Sequence, residues 1–319
     1  MNEDKREWTA AEKQLIRDLK DKPKKGWLQL AKLLDRTPDS IRMWYRNNVS
    51  NTTKEAGASR PVLDAPVVGL FDVETLPMEV YAWQMFDQSF SVEQVIHPSN
   101  LLAWAGKFLN APDTYSDILT PIEAINRDDA RITKSCWEWL RKCDIVVGHN
   151  LIDFDSKVIA TMFLKHGLDP LKYIQVDTLK TARQHFRFDS NKLAFINKSL
   201  GIRDKMENDG FPLWRGCRMG DEKSLQDMAE YNRGDVLALE ELYYTLRPYF
   251  HHLNVALYQE LVEDGVCPVC GGKDMKEEGF YFTTAGKYIS YRCQICRCLT
   301  RGKTNQKTAA ERKRLLINS

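Results

Sequence analysis

Five residues in the middle of this 319-residue chain have types and spacings that could do chemistry. Asp72 and Glu74 stand two apart in the apolar, β-branched run PVVGLFDVET. Side chains alternate along a strand, so both acids face one way, with Cα atoms roughly 6.6 Å apart. Paired carboxylates repel each other and are costly to desolvate; a divalent cation between them removes that cost. Asp155 begins a helical pattern after the strand-like DIVVGHN, with Asn150 in the connecting turn. Asp235 sits in a stripe (Met228, Tyr231, Asp235, Ala238, Leu242) whose steps of 3, 4, 3 and 4 mark the core side of a helix. A buried carboxylate there requires a metal, a cationic partner or a proton. Four acids on three elements, Asp72, Glu74, Asp155 and Asp235, can hold two hard cations such as Mg²⁺ or Mn²⁺. Two metals suit in-line cleavage of a phosphodiester. Tyr231, one helical turn before Asp235, can reach the same pocket and orient an attacking water.

A second constellation lies near the C-terminus. Five of the eight cysteines fall between residues 267 and 298. With no apolar signal core in the opening MNEDKREW, such a cluster reads as metal binding rather than disulfides, and a cytoplasmic location is expected. Cys267-Pro-Val-Cys270 and Cys293-Gln-Ile-Cys296 form two knuckles whose thiolates suit one structural, tetrahedral Zn²⁺; an iron–sulfur site is the main metal alternative. Cys298 is taken as a spectator, although it could compete with Cys296. The intervening GFYFTTAGKYISYRC has the aromatic and β-branched character of ribbon strands. Lys287, Arg292, Arg297, Arg301 and Lys303 give this ribbon a basic surface suited to phosphate contact, with plain structural capping as the alternative role.

These groups need elements to position them. Residues 1–50 read as three short helices. Thr9 and Glu12 form a capping box behind the staple residue Trp8, and Thr37-Pro38 starts a third helix that buries Ile41 and Trp44 and exposes Arg42 and Arg46. A basic last helix suits a helix-turn-helix module that enters the DNA major groove. Residues 51–64 read as a linker, 65–250 as a core mixing strands and helices, 251–300 as a connecting helix and the ribbon, and 301–319 as a basic tail. The net charge of +2 is a cancellation, because residues 1–60, 61–264 and 265–319 carry +5, −10 and +7. Basic ends on an acidic middle point to a nucleic-acid partner. No apolar stretch reaches the roughly 18–20 residues needed to span a bilayer, so no membrane partner is expected.

Asp72-Val73-Glu74, His149-Asn150-x3-Phe154-Asp155 and Tyr231-x3-Asp235 resemble, in order and spacing, the three motifs of the DEDD superfamily of 3′→5′ exonucleases. The Tyr-x3-Asp form is similar to the tyrosine branch, which includes proofreading domains of DNA polymerases and ribonuclease D. The resemblance implies an α/β, ribonuclease H-like fold, a mixed sheet flanked by helices with Asp72 and Glu74 on the first strand. The chain also resembles free-standing, phage-type exonucleases in which a similar core precedes a cysteine-rich end; phage encoding would place it in the host cytoplasm. The N-terminal tryptophan spacing and RTPDSIRMWYR resemble Myb-like and homeodomain-like helical domains.

The expected activity is metal-dependent 3′→5′ hydrolysis of DNA to nucleoside monophosphates. RNA as substrate, a structure-specific endonuclease and a catalytically silent nucleic-acid-binding adaptor are the rivals. Thr75 and Asn150, with Arg42 and Arg46, are expected to touch single-stranded DNA or 3′ ends, and replication or repair proteins are possible partners. His149 is read as structural, Asp153 as a decoy for Asp155, and Asp177 as an ordinary acid.

Overall fold

The computed structural model describes residues 8–10, 12–13, 34–36, 41, 65–202, 210–250, 253–258 and 265–316. The chain divides into two compact units, residues 1–63 and 64–319. Arg42, Arg46 and Trp44 lie outside the described residues.

In the first unit the capping box forms: Thr9 N–H donates to Glu12 Oε2 at 2.8 Å, and Glu12 N–H to Thr9 Oγ1 at 3.2 Å. Glu12 has a second task. It accepts from Arg36 Nε at 3.0 Å, and the Arg36 guanidinium lies 3.8 Å over the Trp8 ring. The Arg36 hydrogen bond, ahead of the Thr9 contacts, holds the Glu12 carboxyl down at about 2. Ile41 is fully buried, as its place in the apolar pattern requires.

The second unit is built on strands β1 (Val68–Leu76), β2 (Glu79–Val80), β3 (Val95–His97), β4 (Asn100–Phe108), β5 (Thr114–Ile118), β6 (Ile145–Gly148) and β7 (Ile174–Asp177). Five of them form one mixed sheet in the order β5-β4-β1-β6-β7. Strand β1 is its centre, antiparallel to β4 and parallel to β6. That central place explains the near-continuous apolar run around Asp72 and the wholly buried Ile145–Gly148, since strands covered on both faces do not alternate cleanly. The helices are α1 (Pro121–Asn126), α2 (Ala130–Leu140), α3 (Asp155–His166), α4 (Thr178–His185), α5 (Leu193–Leu200), α6 (Phe211–Arg218) and α7 (Glu222–Leu246). This is the expected ribonuclease H-like class, a mixed sheet flanked by helices.

Two apolar clusters hold it together. Phe71, Val73, Trp104, Trp139, Met162 and Phe163 belong to one, with Met228 and Tyr231 from the start of α7. Leu70, Val147, Ile196, Val236, Leu239 and Leu246 belong to the other. Helix α7 therefore passes from one cluster into the other and packs over β1 and β4. Trp139 fits because Gly69 and Gly106 leave room for it: a Cβ on Gly106 would sit 2.5 Å from the Trp139 ring.

The cysteine-rich end forms a separate three-stranded antiparallel sheet in the order β10-β9-β8, from β8 (Met275–Thr283), β9 (Gly286–Cys293) and β10 (Leu299–Asn305). Strand β10 runs across residue 300, so the ribbon claims the first residues of the segment read as a tail, and a short helix α8 (Ala309–Arg312) follows. The expected connecting helix lies partly outside the described residues; Val255–Tyr258 form a single 3-10 turn. The ribbon is not a loose appendage, because Cys267, Val269, Cys293, Cys296 and Cys298 share an apolar cluster with Leu246 and Phe250. Among the described residues no helix is long and apolar enough to cross a membrane.

Candidate active site

Asp72 and Glu74 project from the same face of β1, both half-buried, while Phe71 and Val73 turn the other way into the core. The pairing of β1 with β4 shifts register between Glu74 and Thr75, just past the second acid. Such a bulge adds local twist and re-aims side chains. Opposite stands α7, N-capped by Asp221, which accepts from Ser224 N–H at 2.8 Å. The helix delivers Tyr231 and Asp235 to the same region, 5 % and 3 % exposed. Carboxylate oxygens of Asp72, Glu74 and Asp235 all lie within 4.8 Å of one another.

Asp155 is placed differently. It opens α3 and is 2 % exposed. Its Oδ1 accepts the backbone N–H of Val73, the residue between Asp72 and Glu74, at 3.1 Å. It is therefore adjacent to the three acids, although its carboxylate is not part of their 4.8 Å group. Burial pushes its pKa up to about 7, with the charge of Asp177 adding to the rise against the pull of the Val73 hydrogen bond. Asp153, two residues earlier, is half-exposed and ion-paired with Lys157 and Lys180.

Two further residues organise this site, Asn232, which draws no reading from the sequence, and Asp177, which reads there as ordinary. Asn232 is fully buried, and its Nδ2 donates to Asp72 Oδ2 at 2.6 Å. A signal existed: Asn232 is four residues after Met228 and four before Val236, so it belongs to the buried side of α7. Asp177 is not an ordinary acid. It caps α4 by accepting from Leu179 and Lys180 N–H, and it also accepts from Asn150 N–H and Ile152 N–H, each at 3.1 Å. One carboxylate thus ties the turn ahead of Asp155 to the next helix. The turn needs that restraint, because Asn150 has φ 71°, a left-handed conformation that Asn tolerates better than most side chains. His149 bonds to Thr178 Oγ1 through Nδ1 and to the Asn191 carbonyl through Nε2, both at 2.9 Å, a structural arrangement. The Trp214 ring of α6 meets Tyr231 edge-on at 6.1 Å. Thr75 follows the bulge, half-buried beside Glu74.

The donor set fits a hard divalent cation. Three carboxylate oxygens at this spacing repel unless a positive charge lies among them. Beside them, Asn232 Oδ1 is buried with no hydrogen-bond partner among the described residues.

The four knuckle cysteines form the other metal-compatible group. Their sulfurs lie within 4.8 Å of one another, with Cys267–Cys296 and Cys270–Cys293 each 3.6 Å apart. The Cys270 thiol is pushed up to about 12, first by its hydrogen bond with Cys267 and then by burial. Cys298 is not in the group; its sulfur faces the Leu299 carbonyl.

Comparison with known proteins agrees with this architecture. Residues 111–247 match the RNase H superfamily, and residues 8–58 match the Myb-like DNA-binding domain. The fold of the core is RNase H-like. The superfamily match begins after β1, so the place of Asp72 and Glu74 rests on the strand geometry itself. The chain is 26 % identical over 156 residues to the PolC-type DNA polymerase III of Ureaplasma parvum. That match covers 44 % of this chain and 10 % of the polymerase, so the chain corresponds to about a tenth of its relative's length. Among solved structures, the family B DNA polymerase of the archaeon Pyrobaculum calidifontis is similar at a TM-score of 0.40 and 14 % identity, over 58 % of this chain and 25 % of that one.

Proposed function

We propose that the core is a metal-dependent 3′→5′ exonuclease that hydrolyses DNA to nucleoside monophosphates. The observation that carries the reading is the convergence of Asp72, Glu74 and Asp235 from a central strand and a crossing helix of an RNase H-like fold, within 4.8 Å. Asp72, Glu74, Asp155 and Asp235 would hold two Mg²⁺ or Mn²⁺ ions. When bound, such ions stabilise charge on the attacking and leaving oxygens of a phosphoryl displacement. The protein's own part is positional. Asn232 orients Asp72, and Val73 N–H and Asp177 fix Asp155 and its turn. The Tyr231 hydroxyl directs a water at the terminal phosphodiester, whose cleavage frees one nucleotide and leaves a new 3′ hydroxyl. Thr75 and Asn150, at the rim of the same site, contact the strand. Cys267, Cys270, Cys293 and Cys296 would hold one structural Zn²⁺. The Myb-like match over residues 8–58, where Arg42 and Arg46 lie, supports a DNA-holding role for the N-terminal unit.

The test is a Mg²⁺-dependent time course on 3′- and 5′-labelled single-stranded DNA, matched RNA and circular single-stranded DNA. Stepwise loss of the 3′ label from DNA is expected, with Asp72→Ala and Asp235→Ala inactive. Full activity in either variant would overturn the assignment. Faster loss from RNA would transfer it to an exoribonuclease, cutting of the circle to an endonuclease, and binding without turnover in Mn²⁺ to an adaptor.

A further inference from the structure

Away from the acids, a groove of about 1030 Å³ runs between the ribbon and the segment that follows α7. Its lining includes Arg292, Arg297, Arg301 and His185 and contains no Asp or Glu. This is unusual in a core whose residues 61–264 carry a net −10; it occurs where the +7 of residues 265–319 meets that core. Arg292 is occupied by Glu278. Arg297 and Arg301 are exposed, donate only to Gln294 Oε1 and the Gly302 carbonyl, and make no ion pair among the described residues. Two aromatic rings face the same space: Tyr249 from the core side, 40 % exposed, and Tyr281 from β8, 46 % exposed. The Arg301 guanidinium lies 4.1 Å over the Tyr288 ring and 5.8 Å from the Tyr281 ring centre, its charge still without a carboxylate, and Tyr249 is braced by His185 at 5.6 Å.

Two guanidinium groups without a carboxylate partner, Arg297 and Arg301, beside exposed aromatic faces in one concave surface suit a polyanion whose bases are free to stack. A duplex buries its base faces in its own stack; a single strand presents them. We propose that this groove binds single-stranded nucleic acid, with Arg297 and Arg301 on backbone phosphates and Tyr249 and Tyr281 stacking on bases. The link to catalysis rests on the nuclease reading above. Asp235 and Leu246 lie on one helix, about 16 Å apart along its axis, so a strand whose end reaches the acids can have its upstream portion in the groove. The binding itself does not depend on that reading.

The experiment measures fluorescence anisotropy of a 20-nucleotide oligothymidylate and of a blunt 20-base-pair duplex with the full-length protein, across a NaCl series without added Mg²⁺ or Mn²⁺. Arg297→Glu/Arg301→Glu is expected to weaken oligothymidylate binding about tenfold or more and to flatten the log-affinity against log-salt slope by about 1.4, at 0.7 for each lost phosphate contact. Arg301→Gln, a milder change, is expected to lose about half of that slope. Tyr249→Ala/Tyr281→Ala should weaken binding at least about fivefold with the slope unchanged, since stacking releases no counterions. Lys134→Glu/Lys223→Glu makes the same change in net charge elsewhere and should bind as wild type. Wild-type affinity and slope in the arginine variants, an equal loss in the lysine control, or an equal loss on the duplex would overturn the proposal. Hydrolysis of a thymidine dinucleotide, too short to reach the groove, separates the two readings. Equal rates in wild type and groove variants support a distinct binding site, whereas absence of wild-type hydrolysis on dinucleotide and oligonucleotide alike refutes the nuclease reading and leaves the anisotropy result to decide the groove.

Discussion

Asn232 offers the sharpest test of the site, because its role is visible in the geometry and absent from the acid inventory. Its Nδ2 donates to Asp72 Oδ2 at 2.6 Å from a fully buried position. A hydrogen bond to a charged group contributes about 1.5–3 kcal/mol, which corresponds to about 10- to 150-fold in an equilibrium constant at 1.4 kcal/mol per tenfold. Partners that orient metal ligands typically cost about 10–100-fold in metal affinity or activity when removed, so the two estimates agree. Asn232→Leu keeps a branched side chain and removes the donor. Its Mn²⁺ affinity, measured by calorimetry without nucleic acid, should fall by about 10–100-fold, with a parallel rise in the Mg²⁺ concentration giving half-maximal hydrolysis. Asn232→Asp places a carboxylate where the amide donates. Like charges that close cannot both ionise, so the pair holds one proton near neutral pH. Mn²⁺ binding by this variant should therefore strengthen steeply as pH rises, with proton release visible as a buffer-dependent heat. A folded Asn232→Leu protein with wild-type Mn²⁺ affinity and turnover would refute the claim that Asn232 sets the orientation of Asp72.

Tyr231→Phe should retain Mn²⁺ binding yet lose about 100-fold in turnover, the scale of a positioned proton-handling group, as read by single-turnover hydrolysis. If the four knuckle thiolates hold one zinc as proposed, atomic absorption should find one zinc per chain in the wild type and in Cys298→Ser and none in Cys293→Ser. Gly106→Ala brings a Cβ to 2.5 Å from the Trp139 ring; overpacking of about 1–3 kcal/mol should lower the melting temperature by several degrees in calorimetry. The Glu12 carboxyl is lowered from 4.5 to about 2 in the folded state by its Arg36 hydrogen bond. Its stabilising contribution is therefore complete above pH 4.5 and lost as pH falls toward 2. Melts of Glu12→Gln should fall below wild type at pH 6 and converge with it by pH 2.

The class of the fold was implied by the resemblance of the three motifs, whereas the whereabouts of the acids were legible for a physical reason. Carboxylates inside apolar periodic runs are costly, and the sequence displays the cost directly at Asp72, Glu74 and Asp235. The stripe from Met228 to Leu242 likewise lies on the buried side of α7. What stayed hidden was neutral or doubly used. Asn232 carries no charge, so its presence on the buried side of α7 does not stand out, although its bond to Asp72 spans 160 residues of sequence. Asp177 reads as an ordinary acid, and nothing local reveals that its second oxygen reaches back to Ile152. Arg36 draws no reading from the sequence, and its place against Trp8 and Glu12 emerges only in the fold. The extent of the ribbon was misjudged because LTRGKTN has little apolar content; β10 is an exposed edge strand held by its ladder to β9 rather than by burial.

Helix α7 joins the parts into one argument. Its first half carries Tyr231, Asn232 and Asp235 to the acids on β1, and its last residue, Leu246, packs in the cluster that includes the knuckle cysteines. Asp235 and Leu246, about three turns apart on one rigid rod, share its orientation, so whatever fixes the far end also fixes the angle at which Asp235 meets Asp72 and Glu74. Four thiols drawn together beneath Leu246 and Phe250 are poorly suited to that task when protonated, since the bonds between them are weak, whereas a metal would lock them. A structural zinc would then act on catalysis through packing alone. Its removal should raise the metal requirement of the acid site, even though no cysteine belongs to that site's acid group.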